Sequence, residues 1–191
     1  MEKTIEYFDS SGPNNTERTL ELARLRADEL GIDHLVLSSS TGRTAVRAME
    51  LIQPERLVVV SSMYGMREPG RPRITGDNRT RLEEAGVRLV FQTHVLSGIE
   101  RAINNKFQGL YPALLVAEVL RIFGQGWKVC FEITMMAADS GAIPADKEVV
   151  AMGGTGKGLD TALVMSPAHS NTLFDLSVRE IICTPRGKQH E

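Results

Sequence analysis

Cysteine is scarce in this sequence: only Cys130 and Cys183 occur in 191 residues, each among apolar neighbours. That excludes a disulfide-stapled scaffold and a cysteine metal cluster. The two read as small buried side chains of a protein in a reducing compartment. Charge of one sign is missing too. With 22 Lys and Arg against 24 Asp and Glu, the net charge is −2, which gives no electrostatic reason to expect nucleic acid or an anionic membrane as partner. No apolar run approaches the roughly 20 residues of a bilayer span. The start, MEKTIEYFDSSG, lacks the cationic and apolar segments of a signal peptide, so the expected location is the cytoplasm. Catalytic signatures are absent as well: there is no GxSxG elbow, no HExxH and no cysteine pair at ligand spacing. His34, His169 and His190 have no mutual spacing that suggests a metal site, and none is expected.

What is present is ordinary globular material, 42% hydrophobic and 24% charged. The length suits one α/β domain over residues 1–191, long enough to bury a core without staples. Thr16 reads as an N-cap, and the spacing of Leu20, Leu22, Ala23, Leu25, Ala27 and Leu30 predicts an amphipathic helix closed by Gly31. Strands are expected at about 34–38, 56–62, 87–91, 148–152, 162–165 and 178–184. Helices are expected at 45–52, from Asp77 or Asn78 to Ala85, from Ser97, at 111–123 and at 127–140. For 127–140 a strand through VCFEITMM competes. The helical spacing of Glu132, Met136 and Asp139 and the stop at Gly141 and Pro144 favour a helix. PRGKQHE reads as a frayed tail. Alternating helices and apolar strands predict a three-layer α/β/α sandwich on a mainly parallel sheet.

One stretch stands out, LVLSSSTGRTAVRAM at 35–49. A short apolar strand runs through a hydroxyl-rich turn, Ser38, Ser39, Ser40, Thr41 and Gly42, into a helix entered at Arg43 and Thr44. Unpaired N–H groups and the positive helix end would face one point there, and Arg43 adds a forked donor suited to phosphate or carboxylate. The turn is therefore either a phosphate-holding turn or an ordinary strand-to-helix connection.

In an open sheet, ligands sit beyond the carboxyl ends of the strands. Four polar exits would meet there: Ser38–Thr44, Ser61–Met66, Thr93–His94 and Gly153–Lys157. Within the second, Ser62 is polar, while Met63, Tyr64 and Met66 could wall a flat ring or sit in the core under a loop. His94 is either a ligand contact and proton carrier or a structural hydrogen-bonder. GGTGKGLD at 153–160 fails both the P-loop and the GxGxxG patterns. Gly153, Gly154, Thr155 and Gly156 are left as a glycine nest for a ligand or a plain turn. Asp160 and Glu132 are candidate acids. The apolar helix at 111–123 is either central core or an interface of a homo-oligomer.

At Val36–Ala45, VLSSSTGRTA, the chain resembles the C-terminal α/β domain of pyruvate kinase, where a Ser/Thr-Gly-Arg-Ser/Thr-Ala turn leads from strand to helix. The whole length is similar to a family of stand-alone pyruvate kinase α/β domain proteins. The likeness extends to Gly12, Asn15–Thr16, Gly124–Gly126, Met136–Asp139 and the GGTGKGLDTA segment. The resemblance implies a mixed sheet of strand order 3-2-1-4-5 with one strand antiparallel. It implies binding of a phosphorylated small molecule: an allosteric phosphosugar with that turn around a phosphate, as in many pyruvate kinases, or, foremost, flavin mononucleotide (FMN), as in some members of the stand-alone family, whose phosphate would suit the turn. The catalytic barrel is not in this sequence, so the likeness implies no pyruvate kinase activity. Three functions follow in order: an FMN-type binding domain, a sensor of a phosphosugar or nucleotide, and an enzyme using His94, Lys157 or Asp160.

Overall fold

The computed structural model describes residues 4–187. Its strands are β1 (Glu6–Phe8), β2 (Leu35–Ser38), β3 (Leu57–Ser61), β4 (Arg88–Phe91), β5 (Val149–Gly153), β6 (Thr161–Ser166) and β7 (Ser177–Pro185). Its helices are α1 (Thr16–Leu30), α2 (Arg43–Ala48), α3 (Gly76–Glu84), α4 (Gly98–Phe107), α5 (Pro112–Arg121) and α6 (Gln125–Asp139). The strands form one sheet in the order β1-β7-β6-β5-β2-β3-β4. Only β6 runs against its neighbours, pairing antiparallel with both β5 and β7. The segment β4-β3-β2-β5-β6 has the expected 3-2-1-4-5 order, and β7 and β1 extend it. Nothing in the sequence reading assigned β1: three residues are too few to show a period.

Successive side chains of each strand enter opposite cores, as the pleat requires. Leu35, Leu37, Leu57, Val59, Val150, Met152, Ala162 and Val164 pack on one face with Leu20, Ala23 and Ala27 of α1, Ala45 and Ala48 of α2 and Leu82 of α3. Val36, Val58, Val60, Ala151, Leu163 and Met165 pack on the other with Cys130, Ile133, Met136 and Ala137 of α6. Helix covers both faces, so β2, β3 and β5 read as unbroken apolar runs.

The helix expected at 127–140 is present as α6, and the alternative strand is not. The helix expected at 45–52 ends at Ala48, with turns continuing to Leu51. Two helix starts differ from expectation. Thr16 lies inside α1 behind Asn15; its hydroxyl donates to Pro13 O at 2.7 Å and accepts from Leu159 N–H at 3.0 Å. α3 starts not at Asp77 or Asn78 but at Gly76, behind the N-cap Thr75, whose hydroxyl accepts from Asn78 N–H. Helix 111–123 is α5, which lies on α6 and not against the sheet. It leaves Leu115, Val119, Ile122 and Phe123 exposed and buries Ala117. Of the tail, residues 188–191 lie outside the described part. Among the described residues no helix is long and apolar enough to cross a membrane.

Candidate functional site

The site begins with the turn after β2. Ser39 extends the sheet by donating its N–H to Val60 O at 3.1 Å, and its hydroxyl accepts from Ala45 N–H at 3.3 Å. It is a helix cap reaching forward from the strand. Gly42 takes φ +84°, and a Cβ there would stand 2.7 Å from Asn78 Cβ. Gly42 therefore lets the turn lie against α3, and Asn78 clamps it by donating to Thr41 O at 3.0 Å. Arg43 is exposed at the start of α2, where first-turn N–H groups have no intrahelical acceptor. With six residues α2 is a short helix. Positive charge at this turn comes mainly from side chains, not from a macrodipole.

The expected convergence of strand exits is present. A cavity of about 310 Å³ opens beyond the carboxyl ends of β2, β3 and β5. Ser38, Ser39, Ser40, Thr41, Arg43 and Thr44 line it from the turn, Ser61 and Ser62 from the β3 exit, His94 from the β4 exit, and Gly154, Gly156, Lys157 and Gly158 from the β5 exit. Ser61 and Ser62 tie the first two exits together: their hydroxyls meet Ser40 O and Ser40 Oγ, each at 3.2 Å.

Several of the residues singled out from sequence, Met66 among them, do not line the cavity. Gly42 is turned toward α3. Met63 and Tyr64 leave with their loop; Tyr64 packs edge-on against Phe91 with centroids 5.5 Å apart, and its hydroxyl accepts from Arg79 at 2.8 Å. Gly153 is pressed against α6, where a Cβ would meet Gly126 O at 2.4 Å. Thr155 donates its N–H to Asp160 Oδ2 at 3.1 Å. Asp160 itself is a structural acceptor, fully buried. It takes Gly12 N–H at 2.8 Å and the Thr161 hydroxyl at 2.9 Å besides Thr155. Together with Thr16, it sews the glycine-rich turn to the N-terminal segment.

α6 supplies a whole wall, with Gln125, Val129, Glu132, Ile133 and Met136 along one stripe. Glu132 accepts from Leu96 N–H at 3.2 Å, lies 3.5 Å from His94 Nδ1, and contacts Lys128 Nζ one turn back on the same helix. The Lys128 and Glu132 side chains are 5% and 4% exposed. Burial opposes ionisation of Glu132, but the His94 hydrogen bond and the Lys128 charge outweigh it and bring its pKa down to about 2. Burial lowers Lys128 from the ordinary lysine range, with Glu132 working against that shift. The thiols are inert by contrast: burial raises Cys183 to about 12 and Cys130 well above its usual value.

Sequence reasoning missed Lys128, Arg73 and Gln125. For Lys128 a signal existed, a Lys and a Glu at i and i+4 in the middle of a mostly apolar helix. Arg73 returns from the irregular loop after β3, and no local pattern marks it. Among the described residues Arg43, Arg73 and Lys157 have no carboxylate partner, and Glu132 is the one carboxylate in the lining. No group of three or more potential metal ligands occurs among the described residues. The wall can thus hold an anion with hydroxyls and cations at one end and meet apolar or hydroxylated surface along α6.

The family model described as Pyruvate kinase, alpha/beta domain matches residues 17–165. The match runs from the first turn of α1 through β6 and includes every element that lines the cavity. The chain belongs to the pyruvate kinase alpha/beta domain family.

Proposed function

We propose that the cleft binds a small molecule by its phosphoryl group, with FMN as the first ligand to test. The observation that carries this reading is the grouping of Arg43, Arg73 and Lys157, without carboxylate partners among the described residues, around a cavity lined by Ser38, Ser40, Thr41, Thr44, Ser61 and Ser62. Charge-assisted hydrogen bonds to a phosphate dianion need that donor set. For FMN, these donors would receive the phosphate end. The ring would lie against Val129, Ile133 and Met136, since Met63 and Tyr64 are turned away. A bound flavin would supply redox chemistry at its ring, while these residues hold and orient it.

A phosphosugar is the second reading, favoured by one feature. His94 and Glu132 make the deep end of the cavity polar, which suits hydroxyls better than an apolar ring. An acid–base role for Asp160 has no support, because its oxygens are committed to three internal donors. Residence in the cytoplasm is proposed on the strength of two unpaired thiols. Self-association through the exposed apolar side of α5 is proposed as well.

Calorimetric titration of the wild-type protein with FMN and with ribose 5-phosphate tests the reading. Arg43→Ala and Lys157→Ala are each expected to weaken binding by about 10- to 100-fold, a charged hydrogen bond being worth about 1.5–3 kcal/mol. If no phosphate ester binds the wild type, or neither variant weakens binding, the reading is wrong.

A further inference from the structure

Helix α4 is built inside out. Its apolar residues Ile99, Ile103 and Phe107 recur at i, i+4 and i+8, and all three face solvent, Ile99 and Phe107 at 77% and 68% exposure. No residue of α4 is buried. The polar Glu100 and Asn104 are partly covered instead. Glu100 accepts from Ala113 and Leu114 N–H at 2.8 and 3.2 Å, which caps α5 and fixes the two helices as a hairpin. On its outer side α5 repeats the pattern, with Leu115, Val119 and Ile122 exposed at i, i+4 and i+7. A helix of ten residues is marginal in water and takes its stability from burying an apolar stripe. Within its own chain α4 has no such cover.

We infer that a second copy of this chain supplies the cover: two α4–α5 hairpins pack face to face about a twofold axis, and α4 keeps its helical form only in that dimer. This rests on self-association at α5 and extends it to α4. The area is sufficient. With Leu110 between the helices, the seven apolar residues are more than half exposed on average and offer on the order of 800 Å². Each partner gives roughly 800 Å² to a standard interface, and the largest apolar patch on a typical monomer is about 300–600 Å². The shape is also suited to its own copy. A groove of about 440 Å³ lies between the two helices, with Leu110 and Leu115 in its lining, so it can receive an exposed ridge of the same face. Such isologous contacts are self-complementary. Arg101, Glu118 and Arg121 line the groove as well. Glu118 contacts Arg121 within α5 and stays 69% exposed, while Arg101 has no carboxylate partner among the described residues. A face carrying both signs can pair unlike charges across a twofold axis, whereas an acidic lipid surface selects cations. A helix that needs its cover in order to fold also calls for a permanent partner, and the chain itself is always present at equal concentration.

Sedimentation equilibrium on the full chain should give the mass of two chains, falling to one in Leu115→Glu and in Ile103→Glu. Hydrogen exchange read by mass spectrometry then separates α4 from the rest. In Leu115→Glu, which leaves α4 itself unaltered, α4 amides are expected to exchange at least about 10-fold faster, because the stripe has lost its cover. Peptides from β2, β3 and β5 should keep their wild-type rates, which shows that the fold survives. Dilution of the wild type gives the same readout without a substitution: α4 alone should speed up as the dimer dissociates. If Leu115→Glu dissociates the dimer but Ile103→Glu does not, or if α4 exchanges as slowly in the monomer, self-association at α5 stands and the part given to α4 is refuted. A wild type with the mass of one chain, or a dimer that persists in both variants, overturns both. Flotation of a monomeric wild type with phosphatidylglycerol–phosphatidylcholine vesicles would overturn them in favour of a lipid surface.

Discussion

Replacing Glu132 by Gln isolates the energetics of the buried ion pair. Gln preserves the shape and an acceptor for Leu96 N–H, but it strands an ammonium whose side chain is only 5% exposed. The carboxylate is held at a pKa of about 2 against an ordinary 4.5. That depression corresponds to on the order of 3 kcal/mol in favour of the ionised form. Removing one partner of such a pair costs about 3–5 kcal/mol, because the remaining charge is uncompensated. With an m-value of about 2 kcal/mol per molar urea, the midpoint should fall by roughly 1.5–2.5 M. Lys128 has one way out, which is to shed its proton. Burial already lowers its pKa, and loss of Glu132 lowers it further. Between that lowered value and the ordinary lysine value, the unfolded chain binds more protons than the folded one, so stability of the variant rises with pH. Its deficit against the wild type should shrink from pH 7 to pH 9. Adding Lys128→Met removes the stranded charge and should recover most of the loss, since an apolar replacement of a buried pair is often neutral or better. Urea titrations of the wild type, Glu132→Gln and the double variant at both pH values measure this. A single variant that loses less than about 1 kcal/mol, or a double variant less stable than Glu132→Gln alone, would refute the reasoning.

The same carboxylate predicts an acid limb. Its folded pKa is depressed, so its contribution is present above about pH 4.5 and is lost as pH falls toward about 2. Urea midpoints at pH 5 and pH 3 should show this decline in the wild type and less of it in Glu132→Gln. Gly126→Ala would place a Cβ 2.1 Å from Thr161 Oγ1 and 2.7 Å from Asp160 Oδ1. Overpacking of that kind costs about 1–3 kcal/mol, and a melting point lowered by about 2–10 °C is the expected reading. On α5, Val119→Glu paired with Phe123→Glu should shift the wild-type mass seen by light scattering toward that of one chain. An unchanged mass would dismiss this face as an interface.

Much of the fold was legible because its layers obey short periods. Apolar runs such as Leu57–Ser61 and Val149–Gly153 mark strands covered on both faces, and the glycine stops mark where helices end. Even the doubtful stretch at 127–140 could be assigned from its stop signals. The cleft was legible at its rim: four polar strand exits must meet at one edge of a parallel sheet, and they do. The cleft wall was not, because α6 reaches the site from another part of the chain. Glu132 read as a candidate acid and Lys128 carried no reading at all, and only the packing of α5 and the sheet around them reveals a buried pair. Met63 and Tyr64 went the other way. Adjacent to a strand exit in sequence, they are carried off by a loop whose path is set by Phe91 and Arg79.

Local chemistry therefore determined that strand, turn and helix would follow one another at 35–48 and that Gly42 would allow the turn, since those preferences act over a few residues. Tertiary structure alone decided which side chains share the cavity. It gave Arg73 to the cleft and withdrew Thr155, made Asp160 a structural acceptor, and left His94 Nε2 without a partner among the described residues. Burial and partnership depend on residues far apart in the chain, and no window along the sequence contains them.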